Sequence, residues 1–181
     1  MTTAELLALP DDGMERWILR GELWEKPMTK RNRFHSGATA RIAQLLGNWL
    51  DAQPAPRGEI LDGEAGCILS HDPDTTVGID VVYVSAEVMA KQSADTTLID
   101  GAPILAVEVL SPNDTTEEIT SKVKGYLDAG VPLVWVVHPQ FRTVTVHRPG
   151  EEPELFNVKQ ELSGEPHLPG LKLRVEAIFS R

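Results

Sequence analysis

Residues 101–138 read GAPILAVEVLSPNDTTEEITSKVKGYLDAGVPLVWVVH. Ile104 to Leu110 is a run of Val, Ile and Leu of strand length, interrupted by a single carboxylate at Glu108. Thr115-x-x-Glu118 then forms a capping box, and Ile119, Val123, Tyr126 and Leu127 recur at helical spacing up to Gly130, which predicts a helix over Thr115 to Ala129. Leu133 to His138 is a second strand, and Arg142 to Arg148 returns beside it as a hairpin across Pro139-Gln140-Phe141.

Further upstream, Gly66 to Ser70 and Ile79 to Val84 have strand composition, and Ser85 to Lys91 is one or two helical turns. Phe34, Ala38, Ile42, Leu45, Leu46 and Trp49 place an apolar face on a long helix from Arg31 to Ala52, ended by QPAPRGE. Before it, ERWILRGELWEKP is a hairpin turning at Arg20-Gly21, and Thr2-x-x-Glu5 caps a short helix through Leu9. Pro149 to Arg181 is turn-rich, with a short element around Val175 to Phe179. Helices interspersed among strands, with neither a repeat nor a dividing linker, define a mixed α/β class and one domain over residues 1–181.

The composition is that of a globular protein, 41% hydrophobic and 24% charged, and large enough for a real core. One cysteine, Cys67, excludes an internal disulfide and fits a reducing compartment. No apolar run reaches the roughly 18 residues of a membrane span, and the first residues do not read as a signal peptide, so the expectation is a cytoplasmic protein with no membrane partner. The formal charge of −10 argues against a protein that coats DNA through bulk charge, though not against one that cuts it. The charge is uneven. Lys26, Lys30, Arg31, Arg33 and Arg41 fall in a stretch to Leu50 without a carboxylate, a candidate phosphate contact. Between Asp72 and Glu118, Lys91 alone faces ten carboxylates, most of them expected in solvated loops and caps.

Two of those ten differ in kind, because Asp80 in GIDVVYV and Glu108 in ILAVEVL interrupt apolar strands. A carboxylate placed there costs several kcal/mol unless it meets a cation, a donor or a solvent-filled cleft. Alternation puts Asp80 on one face with Val82 and Val84, and Glu108 with Ile104, Ala106 and Leu110. If the strands are neighbours, both acids converge on one hard divalent ion such as Mg²⁺ or Mn²⁺; ion pairs with Arg or Lys are the alternative. On the following helix Lys122 lies about 85° from the centre of the apolar stripe and Lys124 about 115°, so Lys122 is better placed to reach inward. Its alternative partner is Glu118, four residues before. The histidines and Cys67 lack zinc spacing, HDPDT is too short for a calcium loop, and no nucleophile elbow, Walker loop or dinucleotide fingerprint occurs.

The run VGIDVVYVS, GAPILAVEVLSPNDTTEEITSKVKGYLDAGVPLVWVVHP, RTVTVHRP resembles the "putative restriction endonuclease" family of the PD-(D/E)XK nuclease superfamily, and RWILRGELWEKPMTKRNRFH resembles its upstream hairpin and histidine-bearing helix. The likeness covers nearly the whole chain to about His147. It implies a restriction-endonuclease-like fold, a central mixed β-sheet flanked by helices. Asp80 matches the first metal ligand and Glu108 the acid of the (D/E)-X-K element. Leu110 stands where the lysine of that element would be; in this family the lysine moves to the next helix, at the position of Lys122, with Tyr126 one turn later. The chain departs from the family pattern at Ile79 in place of proline, Glu118 in place of aspartate and His138 in place of the hairpin aspartate.

The expected function is therefore Mg²⁺- or Mn²⁺-dependent hydrolysis of DNA. Asp80, Glu108 and the backbone carbonyl of Val109 are the expected metal ligands, Lys122 the group that orients water or stabilises charge, and Lys30, Arg31, Arg33 and Arg41 the phosphate contacts. Glu22, His35 and Tyr126 are accessory candidates, and a homodimer is expected if both strands are cut, although no segment marks an interface. Beyond the catalytic block some thirty residues remain, fewer than the roughly 50 of an independent recognition domain. Two other readings compete: a catalytically silent nuclease fold serving as a binding or regulatory module, and a metal-free carboxylate-pair hydrolase acting on a glycoside.

Overall fold

The computed structural model describes residues 1–93 and 96–180; Ala94, Asp95 and Arg181 lie outside them. Its elements run α1 (Thr3–Leu7), β1 (Met14–Leu19), β2 (Glu22–Pro27), α2 (Arg33–Asp51), β3 (Glu59–Ser70), β4 (Thr75–Val84), α3 (Ala86–Met89), β5 (Ile99–Asp100), β6 (Leu105–Val109), α4 (Thr116–Asp128), β7 (Leu133–His138), β8 (Thr143–His147), β9 (Glu154–Asn157), β10 (Glu161–Ser163), β11 (Lys172–Arg174) and α5 (Val175–Phe179). The main sheet has the order β2-β1-β4-β6-β7-β8-β9, with β3 against β4 and β5 against β3. β6 and β7 are parallel and joined through α4, whereas β4 and β6 are antiparallel, so the sheet is mixed.

The local signals act as their chemistry dictates. Thr2 and Thr115 each close a capping box with the glutamate three residues on, and Arg20 and Gly21, both at positive φ, make the two-residue turn of the β1–β2 hairpin. Period-2 alternation then divides the core. Val81, Leu105, Val107, Trp135 and Val137 pack with Ala38, Ile42 and Leu46 of α2 on one face, while Val82, Ala106, Val134 and Val136 pack with Val123 and Tyr126 of α4 on the other. Gly125 lets α4 approach β1, because a Cβ there would lie 3.0 Å from Leu19.

Some expectations need correction. Phe34 does not belong to the buried stripe of α2; it is 56% exposed, and His35 takes the inward position at the start of the helix. The strand expected at Gly66 to Ser70 begins at Glu59, its first half broken from the apolar run by a register shift at Gly63 and Glu64. The C-terminal region carries three short strands, too brief and too exposed to generate a periodic signal.

A split in the sheet prepares the site. Along one edge β4 is paired throughout by β3. Its other edge is shared, β1 meeting it at Thr76 and β6 at Val81 to Tyr83. Asp80 sits in the interval, at the point where the β4–β6 ladder stops. Opposite it on β3, the register shifts between Asp62 and Ala65, a bulge formed by Gly63 and Glu64.

Candidate active site

Asp80 and Glu108 occupy positions that face each other if the β4–β6 register is continued by one residue beyond Val81 and Val107. Both are 5% exposed. The ladder bond that would close this pair is replaced by a side chain: the Val109 amide donates to Asp80 Oδ2 at 2.7 Å. Asp80 Oδ1 lies 3.2 Å from His35 Nε2, which α2 carries in from the opposite layer. That contact lacks hydrogen-bond alignment, and both ring nitrogens of His35 are buried without a hydrogen-bond partner.

Glu108 is held from the other layer. Lys122 Nζ donates to its two carboxylate oxygens at 3.4 and 3.3 Å, and the Tyr126 hydroxyl, one helical turn later, donates to Oε1. Glu118 is engaged in its capping box, so the inward lysine pairs with Glu108 instead. Lys122 Nζ also lies 5.3 Å from the ring centre of buried Trp17, which stacks on Trp24. Burial pushes the Glu108 carboxyl up to about 7, against the opposing pull of Lys122 and with Asp80 adding to the rise. Burial alone would lower the Lys122 pKa, but Glu108, Glu64, Glu15 and Asp80 together hold it above its ordinary value. Tyr126 is driven well above the usual phenol range by burial and by the adjacent Glu108.

Glu64, which sequence reasoning missed, completes the surroundings. It is a non-glycine residue at φ +64° in the bulge opposite Asp80, and its carboxylate pairs with Arg31. Gly78 leaves it room, since a Cβ there would come 3.1 Å from Glu64 Oε2. The available signal was the glycine inside a strand pattern, which marks a bulge. Glu15 is a second omission: it lies 3.4 Å from Arg31 and 3.7 Å from Lys26, which also binds Asp114 at 2.8 Å. A cleft of about 610 Å³ bounded by Trp17, Arg31, Glu64, Met28 and Leu98 opens onto Lys122.

The structure thus brings together Asp80, Glu108, Lys122, Tyr126, His35 and the Val109 backbone. Glu22 stands apart, exposed at the turn of the first hairpin. Of the four candidate phosphate contacts, Arg31 lines the cleft, Lys30 and Arg33 are exposed nearby, and Arg41 is turned to the Ala177 carbonyl and Gln44.

The family model described as "Putative restriction endonuclease" (Uma2) matches residues 3–176. The chain belongs to the Uma2 family. This restriction-endonuclease-like architecture is shared by a crystal structure described as "a putative nuclease belonging to DUF820 from Anabaena variabilis ATCC 29413", with 21% identity, a TM-score of 0.80, and coverage of 99% of this chain and 97% of that one. No curated protein matches the sequence. The Uma2 assignment agrees with the resemblance carried by the V-E-V-L-S-P block and its spaced Lys122 and Tyr126. Among the described residues of this Uma2 chain, no helix is long and apolar enough to cross a membrane.

Proposed function

We propose that this protein is a metal-dependent DNA endonuclease, in which Asp80, Glu108 and the carbonyl of Val109 hold Mg²⁺ or Mn²⁺. The observation that carries the reading is the pair of buried carboxylates at the sheet split, with the Lys122 ammonium on Glu108. The donor set fits a hard cation. Two oxygen donors, the type that suits Mg²⁺ and Mn²⁺, face each other across adjacent strands, and the His35 ring beside Asp80 keeps unpartnered nitrogens free to hydrogen-bond water there. Among the described residues no three His, Cys, Asp or Glu side chains form a ready-made cage. Mg²⁺ does not need one, because it typically takes one or two carboxylates and fills its octahedron with water and substrate oxygens. When bound, such an ion polarises the scissile phosphate and acidifies water.

The chain's own groups do the rest. Val109 N–H fixes Asp80 in place, and Tyr126 and Lys122 fix Glu108 from the opposite side. Lys122, buried and held positive by the surrounding carboxylates, is a preorganised charge for the developing negative charge on phosphate. Trp17 packs beneath that ammonium and excludes water from one side of it.

The test is cleavage of plasmid and single-stranded DNA in Mg²⁺ or Mn²⁺ by the wild type and by Asp80→Asn, purified identically. Loss of a chelator-sensitive activity in a folded variant supports the nuclease. Equal activity in both identifies a contaminant, and a protein that binds DNA but never cuts it is the silent module. The pairing of Lys26 and Arg31 with protein carboxylates is what favours that second reading. Activity insensitive to chelator would instead point to a carboxylate-pair hydrolase.

A further inference from the structure

The positive stretch from Lys26 to Arg41 is largely consumed within the fold. Lys26 is taken by Asp114 and Glu15, Arg31 by Glu64 and Glu15, and Arg41 by a carbonyl and an amide. Among the described residues of this stretch, Lys30 and Arg33 remain without a polar partner of their own, on a protein of net charge −10. A duplex is gripped mainly through its phosphates, and two free cations offer little of that.

What the surroundings of the site offer instead is exposed apolar surface. Leu7 and Met28, each 62% exposed, stand at the rim of the cleft that leads to Lys122, and Leu98 forms another wall. Phe34, 56% exposed, carries the Arg33 guanidinium 4.6 Å from its ring centre. It lies three residues after Arg31, which lines the cleft, and one residue before His35, which faces Asp80. In a duplex the faces of the bases are stacked on one another and only their edges reach a protein. An aromatic ring with a guanidinium on one face, three residues along the chain from a wall of an apolar cleft of ligand size, contacts faces, and those are available only in an unpaired strand.

We infer that the strand taken by this site is single-stranded DNA, held by stacking of unpaired bases on Phe34 with Arg33 and in the Leu7–Met28–Leu98 cleft, with a phosphate delivered to Lys122. The inference rests on the nuclease reading for its chemistry but not for its binding.

The experiment is fluorescence anisotropy of a short labelled single-stranded oligonucleotide and of the duplex of the same sequence, in Ca²⁺ and across a salt series, with wild type and Phe34→Ala. Phe34 is exposed, so the variant retains the core. Expected are single-strand binding tighter than duplex by roughly tenfold or more, and a loss of roughly 5- to 100-fold in Phe34→Ala for the single strand alone. The slope of log K against log salt is expected near −1.4, about two phosphates at 0.7 each. Equal or tighter duplex binding, or an unchanged Phe34→Ala, overturns the inference. Chelator-sensitive cleavage without single-strand preference overturns the inference and leaves the nuclease. Phe34-dependent single-strand binding without cleavage in any divalent ion does the reverse, and absence of both overturns both.

Discussion

Lys122 Nζ sits between the two carboxylate oxygens of Glu108, at 3.4 and 3.3 Å, although 14 positions separate the residues and the ion pair is buried between α4 and β6. Such a pair is worth little against an apolar pair of the same shape, yet removing Lys122 forces the buried Glu108 carboxyl to take up a proton and leaves it short of a hydrogen-bond donor. At pH 8, where Glu108 is ionised beside Lys122, Lys122→Met is therefore expected to destabilise the fold by about 1–3 kcal/mol, and Glu108→Gln with Lys122→Met to recover most of that loss. Urea unfolding of the two single variants and the double checks the coupling. Additive losses would mean that the pair does not interact as described.

The same pair sets a pH dependence. Glu108 holds its proton up to about 7 in the folded chain, against an ordinary 4.5. Between those values the folded state binds more protons than the unfolded state, so this group's contribution is complete below 4.5, falls as pH rises to 7, and is constant above. Lys122 stays charged throughout that window, its own pKa being raised further. Relative to the Glu108→Gln/Lys122→Met double variant, the wild type is expected to lose up to about 3 kcal/mol between pH 5 and pH 8. Parallel stability curves for the two proteins across that range would contradict the elevated Glu108.

These groups were legible in the sequence because each broke a pattern: a carboxylate in an apolar strand, or a lysine at the inner boundary of an amphipathic helix. The elements themselves were legible from the patterns, α2 and α4 by helical periodicity and β4, β6 and β7 by their runs of Val, Ile and Leu. What the pattern could not carry was decided by tertiary pairing. Glu64 reaches the site only because β3 gains a residue opposite Asp80. Trp17 lies under Lys122 because the first hairpin joins β4 at Thr76. The exposure of Phe34 follows from its place about 100° around α2 from His35, at the margin of the stripe that His35, Ile42 and Leu46 bury. His35, one residue on, becomes the inward group instead.

Substitution separates the proposed ligand role of Asp80 from its structural one. Its Oδ2 accepts the buried Val109 amide, and asparagine can supply the same acceptor. Asp80→Asn is expected to remain within about 1 kcal/mol of wild type, while Asp80→Ala, which strands a buried N–H, loses about 1–3 kcal/mol. Both should lose Mn²⁺ binding in calorimetric titration. An Asn variant that retains Mn²⁺ affinity would remove Asp80 from the ligand set, and an Ala variant as stable as wild type would mean the Val109 amide finds another acceptor.

Glu64 poses the opposite trade. Its left-handed backbone costs a non-glycine residue about 1–2 kcal/mol, and its ion pair with half-buried Arg31 returns about 0–1 kcal/mol. Glycine removes the first cost, loses the second, and adds the entropy of a freer unfolded chain, about 0.5–1 kcal/mol. These terms nearly cancel, so Glu64→Gly is expected to change stability by less than about 1 kcal/mol. The carboxylate contributes negative charge at Glu108 and Lys122, so its removal should weaken Mn²⁺ binding measurably by calorimetry while thermal unfolding stays unchanged. A large loss of stability would make Glu64 a structural anchor for Arg31, and unaltered Mn²⁺ affinity would place it outside the metal's reach.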